Sequence, residues 1–493
     1  MLRRWELTMT LDRSSPLSVH LQITQAVIDE IQRGRLPPGT PLPGTRTLAQ
    51  QLGVNRKTAV LAYDELLAQG WIDLQAKRGA FVSPQLPAAR PRSDGARTAE
   101  HFPLQDGIAA ATPCDGADDG DSAGIISFSD GVPDTRLIPF DVLSRAYRHA
   151  LVTSARANRL AYGDPRGSAA LRGEIAAMLR LERGLNTNKE NVCAVRGSQM
   201  GIYLAARLLV RPGDHVVLEH LSYPPARAAF ASCGATLHGV SQDACGLITD
   251  ELEALCRGQR IRAVFVTPHH QFPTTVTMSA ERRMRLIDLA RRHDFAIVED
   301  DYDHEFHFAH HPMLPLASMD HGGRVIHIGS LSKVLAPGLR LGYVAASADV
   351  IRRCAAEIML IDRQGNALTE LAVTELMHSG ELRRHIRRAL RVYQARLQDA
   401  TTQVRAALHP HVAFDVPGGG LALWLRLADG LDIAALTRDA LAEGVRILPG
   451  SQFSDRDTPV PAFRLGYGSL DEGELAHGVT RLKAAFSRQT GGR

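Results

Sequence analysis

Val325-Ile-His-Ile-Gly-Ser-Leu-Ser-Lys333-Val-Leu-Ala-Pro-Gly-Leu-Arg340-Leu-Gly-Tyr343 reads as a short buried strand running into a Gly/Ser loop. Within a few residues the loop offers a lysine, two hydroxyls and an arginine. An amine able to form a Schiff base, beside groups able to hold a phosphate dianion, suits a pyridoxal 5'-phosphate (PLP) site. An ordinary surface loop carries the same residue types, so the neighbouring segments decide.

From Ile125 onward, short apolar strands alternate with longer amphipathic segments. Asn191–Val195, His215–Leu218, Ala263–Thr267, Phe295–Val298 and Val325–Ile328 read as buried strands bounded by Gly, Pro or Asp. Strands alternating with helices predict a largely parallel sheet covered by helices, with ligands at the carboxyl ends of the strands. Candidate polar residues follow those ends directly. Val195 leads into Arg-Gly197-Ser198-Gln199 and a helix through Ile202, Ala205, Ala206 and Leu209, a start that either cradles an anion or is a plain helix cap. Val298 leads into Glu299-Asp300-Asp301-Tyr302. One carboxylate there can keep a pyridine nitrogen protonated, which makes the ring an electron sink, and the phenol can reach the ring hydroxyl. No His/Asp metal spacing is evident nearby, so no metal is expected. His304 and His307 read as surface or structural residues.

The first 83 residues have a different character. Leu17, Leu21, Ile28 and Ile31 predict one face of a helix that stops near Gly34. Thr45 is placed to cap a second helix carrying Ala49 and Leu52, Gly53-Val54 makes a tight turn, and Asn55 caps a third helix. Ala59, Tyr63, Leu66 and Leu67 form its expected buried stripe, ended by Gly70. Trp71-Ile-Asp-Leu and Ala80-Phe-Val then flank a basic hairpin tip, Lys77-Arg78-Gly79. Two helices joined by a Gly turn and followed by a hairpin make a winged helix-turn-helix. Arg56, Lys57 and Thr58 would meet base edges in double-stranded DNA, and Arg46 a phosphate. The region holds ten Lys/Arg against seven Asp/Glu, a surplus that a small protein-interaction module would also show.

Residues 84–124 shift to Pro, Ala, Gly and Asp, with three arginines against seven acids and a cluster at Asp115, Asp118, Asp119 and Asp121. They read as a mobile linker that avoids DNA. Over all 493 residues the net charge is only +4, with 44% hydrophobic and 22% charged residues. A nucleic-acid surface must therefore be local. The six cysteines form no C-x-x-C pair or disulfide framework, and the start lacks the apolar run of a signal peptide. No apolar stretch reaches membrane-spanning length, so a cytoplasmic protein is expected.

Two resemblances sharpen this reading. Pro16-Leu17-Ser-Val-His-Leu-Gln-Ile, Gly34-Arg-Leu-Pro-Pro-Gly-Thr-Pro-Leu-Pro-Gly-Thr-Arg46-Thr-Leu-Ala and Val54-Asn-Arg-Lys-Thr58 resemble the GntR-type winged helix. Ile125 to the end resembles the fold-type I, class I aminotransferases. That resemblance implies Lys333 as the Schiff-base lysine, Asp300 as the pyridinium partner and Tyr302 as a ring-hydroxyl contact. It also implies Ser330, Arg340, Ser198 and Gln199 around the phosphate, with Tyr223 of Ser-Tyr-Pro-Pro stacked on the ring. Tyr162 of Tyr-Gly-Asp-Pro-Arg-Gly would reach the phosphate of a neighbouring subunit in a head-to-tail homodimer. Arg464 of Phe463-Arg-Leu-Gly-Tyr would grip a substrate carboxylate, although an ordinary surface arginine fits that position too.

One departure stands out. The usual Asn-Pro-Thr-Gly appears as Gln271-Phe272-Pro-Thr-Thr275. Phe272 replaces the asparagine that normally donates to the ring oxygen, and with it the usual tuning for turnover. Thr-Pro-His-His-Gln-Phe-Pro with Glu-Asp-Asp-Tyr-Asp is similar to the MocR branch of GntR regulators, a winged helix fused to an aminotransferase-like domain. The resemblance implies a DNA-binding regulator that senses an amine or amino acid through the Lys333–PLP Schiff base, with RNA polymerase a further candidate partner. Two other functions stay open: a working aminotransferase with an accessory DNA-binding module, and a regulator of vitamin B6 supply that senses PLP itself.

Overall fold

In the computed structural model the described residues are 11–15, 17–76, 78–86, 124–128, 131–157, 161–308 and 313–490. The chain divides into two compact units at Gly107/Ile108. Most of the expected linker, with its acidic cluster, lies outside the described residues, as does Lys77.

The first unit contains helices α1 (Val19–Gln32), α2 (Thr45–Leu52) and α3 (Arg56–Ala68), then the antiparallel hairpin β1 (Ile72–Gln75) and β2 (Gly79–Val82). Ile23, Val27, Ile28 and Ile31 of α1 pack with Leu48 and Ala49 of α2 and Ala59, Ala62, Tyr63 and Leu66 of α3. Thr24 donates from its hydroxyl to the Ala62 carbonyl, and Tyr63 to that of Pro43. The Asn55 side chain accepts from the Lys57 amide at 2.9 Å, as expected of a cap. Three expectations need correction. Gly44, extended after Pro43, is the N-cap of α2, and Thr45 is its first helical residue. Leu17 precedes α1 and is exposed. Leu67 is also exposed, because α3 packs against both α1 and α2 and the buried stripe runs through Ala62 instead.

The second unit is built on a seven-stranded sheet: β3 (Val192–Val195), β4 (His215–Glu219), β5 (Thr236–Val240), β6 (Ile261–Val266), β7 (Ala296–Asp301), β8 (Val325–Ser330) and β9 (Gly342–Ala345). Their spatial order is β3-β9-β8-β7-β6-β4-β5. The contacts among β4 to β8 are parallel, whereas β9 runs antiparallel to both neighbours. Every residue of β3 and β8 is buried, so their near-continuous apolar runs reflect coverage on both faces. Helix α4 (Gly197–Leu209) covers one face with Ile202, Leu204, Ala205 and Ala206. A 28-residue helix, α5 (Glu381–Leu408), leads to an antiparallel sheet of β10 (Val412–Ala413), β11 (Ala422–Leu427), β12 (Leu448–Pro449) and β13 (Ala462–Gly466). No helix among the described residues is long and apolar enough to cross a membrane.

This topology positions the site. β3, β4, β6, β7 and β8 deliver their following loops to one edge of the sheet. The reversed β9 starts at that same edge, so Arg340, two residues before it, joins loops that come from strand ends.

Candidate functional site

Segments at the ends of five strands meet at that edge around a cleft. Ser198, Tyr223, Thr267, Phe272, Asp300, Tyr302 and Lys333 line it. The Lys333 ammonium donates to the Gly131 carbonyl at 3.3 Å and lies 5.9 Å from the centre of the Tyr302 ring. Tyr223 meets Phe272 edge-on at 5.3 Å, giving the cleft an aromatic flank.

Asp300 is the electrostatic focus. It is 4% exposed, and its Oδ1 has no hydrogen-bond partner. Burial lifts its carboxyl to about 8; Asp301 and Asp303 add to the rise and Lys333 opposes it. Its neighbour Asp301 goes the other way. Burial would raise it, but His304 and Arg183 hold it well below the usual carboxylate range. Arg183 is fully buried, donates to Asp301 at 3.3 Å and to the Tyr343 hydroxyl at 2.6 Å, and pairs with Glu305. Consecutive acids on one strand are thus driven apart by which face each side chain meets.

The phosphate end fits the expected cradle in part. Gly197 opens α4 at φ +73°, and a Cβ there would stand 2.7 Å from the Arg340 guanidinium. Glycine therefore lets the arginine lie against the helix start, where it donates to the Arg196 carbonyl at 3.2 Å. Ser198 faces the cleft. Gln199 does not line it: its amide donates to the Pro225 carbonyl, and its buried Oε1 has no partner. Ser330, buried at the end of β8, is also set back from the lining. Tyr162 lies outside this cleft as well; it is 75% exposed and stacks with Arg363 at 4.0 Å.

Arg464 is not a surface residue. It is 2% exposed on β13, donates to the Pro273 carbonyl at 2.6 Å and lies 4.7 Å from the centre of the Phe272 ring. Phe272 is held there by its own loop. Its amide donates to Thr267 Oγ1 at 2.9 Å, and Gln271 donates to Glu219 and to the Leu221 carbonyl. The Tyr302 hydroxyl donates to the His270 carbonyl at 3.2 Å.

Sequence spacing did not bring out two features. Gly131 and Thr267 belong to the site only because distant loops fold onto it. The second is the grouping of the histidines: His304 is buried, in keeping with a structural role, and with half-buried His307 it packs against His269, which with His270 follows β6. Parallel pairing of β6 and β7 places their loops side by side, a relation no i, i+3 count within one segment reveals.

In the DNA-binding unit Arg46, Asn55, Arg56, Lys57 and Arg78 are exposed and Thr58 is half-buried. Arg78 lies over the Phe81 ring at 5.3 Å.

A lysine and a buried acid in one cleft at the strand ends define a PLP-type site on an aminotransferase fold. Residues 123–482 match the aminotransferase class I and II family, and residues 20–82 match the gntR family of bacterial regulatory proteins. The chain is 31% identical to the probable rhizopine catabolism regulatory protein MocR of Rhizobium meliloti, over 97% of this chain and 96% of that protein. It is 32% identical to the HTH-type transcriptional regulator TauR of Rhodobacter capsulatus, over 95% and 96%. Among solved structures, the α-aminoadipate aminotransferase LysN of Thermus thermophilus superposes with a TM-score of 0.70 at 29% identity, covering 75% of this chain and 94% of that one. The chain belongs to the MocR-type subfamily of GntR transcriptional regulators.

Its cofactor is PLP, and the cleft fits that group on its own evidence. The unpartnered Asp300 oxygen is the acceptor that a pyridinium N–H requires, and the Gly197 helix start beside Arg340 offers donors to a phosphate. Lys333 is one of only five lysines in the chain.

The Asp300 carboxyl gives a pH test. Its folded value, about 8, lies above its ordinary value of 3.8. It therefore contributes stability that is fully present below about pH 4 and is lost as pH rises through about 8. In protein stripped of PLP, the thermal midpoint should fall between about pH 5 and about pH 9, and Asp300→Asn should flatten that fall. Glu219, raised in the same direction by burial, remains in both proteins as a common background. Added PLP should stabilise Asp300→Asn much less than the wild type. Parallel pH profiles for the two proteins would contradict this assignment.

Proposed function

We propose that the signal this regulator reads is an amine or amino acid that takes the place of Lys333 on PLP. The observation that carries the reading is the joint presence of Lys333 and Asp300 in one cleft, with buried Arg464 packed behind its wall residue Phe272, which stands where an amide donor would serve turnover. Bound there, PLP supplies a carbonyl carbon open to amine attack and a ring that withdraws electrons when protonated.

The protein's residues divide the remaining work. Asp300 would hold the proton at the ring nitrogen, and Tyr223 and Phe272 would bound the ring. Gly197, Ser198, Ser330 and Arg340 would hold the phosphate, with Gln199 supporting the start of α4. Tyr302 would meet the ring oxygen. Arg464, already buried beside Phe272, would pair with the carboxylate of an amino-acid effector, a charge-assisted contact whose planar geometry suits that group. Lys333 donates to the Gly131 carbonyl. Gly131 in turn packs close to the Arg464 guanidinium, so release of the lysine and capture of a carboxylate act on one loop. Tyr162, solvent-facing and outside the cleft of its own chain, supports a homodimer in which each copy completes the other's phosphate site. RNA polymerase would be the partner if the protein activates transcription.

On the DNA side, the exposed start of α3 supports base reading by Arg56, Lys57 and Thr58, with Asn55 setting the helix start and Arg46 on a phosphate. Lys77, outside the described residues, and Arg78 would serve the wing. Arg56→Ala should relax sequence preference, removing about 1–3 kcal/mol of discrimination. Arg46→Ala should weaken all sequences alike and flatten the salt dependence. Unchanged operator binding by both variants would sink this placement.

The sensing reading is tested with Lys333→Ala, operator DNA and a panel of amines and amino acids, followed by fluorescence anisotropy and transcription in vitro. The variant should bind the operator like wild type and lose the effector-dependent response, because a ligand shifts an equilibrium only through different affinities for its two states. A full response from the variant would overturn it.

A further inference from the structure

Beside the cofactor cleft lies a cluster of imidazoles that the PLP chemistry leaves unused. His269 and His270 are 3% and 2% exposed. The ring of His269 lies 4.7 Å from that of His270 and 5.2 Å from that of His307. Neither ring nitrogen of His269 has a hydrogen-bond partner, and neither does Nε2 of His270. Leaving one such buried group unsatisfied typically costs about 1–3 kcal/mol. Three unsatisfied nitrogens in one place therefore point to a missing partner, such as an ion.

We propose that His269, His270 and His307 form a binding site for a divalent transition-metal ion, with Zn²⁺ the best-fitting occupant. One ring nitrogen from each of the three lies within 4.8 Å of the others. Zn–N bonds of about 2.0–2.1 Å place tetrahedral ligand atoms roughly 3.4 Å apart, so closure by at most about 1.4 Å suffices. Three imidazoles suit Zn²⁺ and its borderline neighbours rather than Ca²⁺ or Mg²⁺, and three protein ligands leave a fourth position open.

The surroundings have the form of a metal site. His270 Nδ1 lies 3.0 Å from Asp303 Oδ1, a bond that fixes the tautomer and turns the Nε2 lone pair inward, as carboxylate partners of metal-bound histidines do. Gly419, bridged to His307 through the backbone, lies against the group; a Cβ there would collide with the Phe306 carbonyl and stand 2.8 Å from His270 Nε2. A second grouping, His269 with Asp301 and His304, is geometrically possible. Asp301, however, already faces His304 at 2.9 Å and Arg183 at 3.3 Å, so we assign the site to the three histidines.

The ion would act on the neighbouring cleft through one bond. The His270 carbonyl accepts from the Tyr302 hydroxyl, so fixing His270 fixes the wall beside Lys333. The proposal does not rest on amine sensing.

The test uses tag-free, full-length holoprotein treated with chelator and freed of unbound PLP. It is then titrated with Zn²⁺ and, as a spectroscopic stand-in, Co²⁺, with bound metal measured by mass spectrometry. The expected result is one tight ion per chain, Co²⁺ d–d bands of four- or five-coordinate form, and a higher melting temperature. His307→Gln, at a half-buried position, should weaken binding by about 100-fold or more, and Asp303→Asn by about 10–100-fold. His304→Asn should retain the site. Tight binding that survives in the His269→Asn/His307→Gln double variant would overturn the proposal, because the chain's other histidines would then account for it. So would loss of binding in His304→Asn but not in His307→Gln, or no tight ion in the wild type.

Discussion

The second unit depends on one buried acid. Asp300 sits on a strand covered on both faces, in a cleft whose nearest cation is a lysine from the next strand's loop, and its Oδ1 has no protein partner. Burying a carboxyl in that way is unfavourable unless a ligand supplies the complementary proton. A pyridinium nitrogen does so, and its own protonation is what makes PLP an electron sink.

Everything else at the edge follows from strand direction. Parallel β4, β6, β7 and β8 bring their loops to one end of the sheet, and the reversed β9 begins there, so Arg340 reaches the site from the opposite chain direction. The antiparallel β11 and β13 contribute Arg464 from the far end of the sequence. One edge of the sheet thus brings Lys333 and Asp300 into a cleft, sets Arg340 against the Gly197 helix start, and buries Arg464 behind the wall residue Phe272.

Much of this was legible in the sequence, for identifiable reasons. Buried parallel strands leave continuous apolar runs, and the polar residue after each run marks the edge, which is how Lys333, Asp300 and Ser198 stood out. Asn55 was readable because a cap is a local hydrogen bond. Where partners are remote, the signal failed. Arg464 was singled out only through resemblance, and a surface arginine stayed open beside it, because its burial depends on Phe272 and Pro273, nearly two hundred residues away. The buried stripe of α3 moved from Leu67 to Ala62 because two helices, rather than one, cover it. The four histidines looked unremarkable because their grouping comes from adjacent strands, not from spacing within one segment.

The most direct measurement of the Lys333-centred site is borohydride reduction of the purified protein, followed by proteolysis and mass spectrometry. The other two lysines of the second unit, Lys189 and Lys483, are exposed, so the pattern of labelling is decisive. One phosphopyridoxyl group on the peptide containing Lys333 is the expected product. A label confined to another lysine, or no label in protein saturated with PLP, would contradict the assignment.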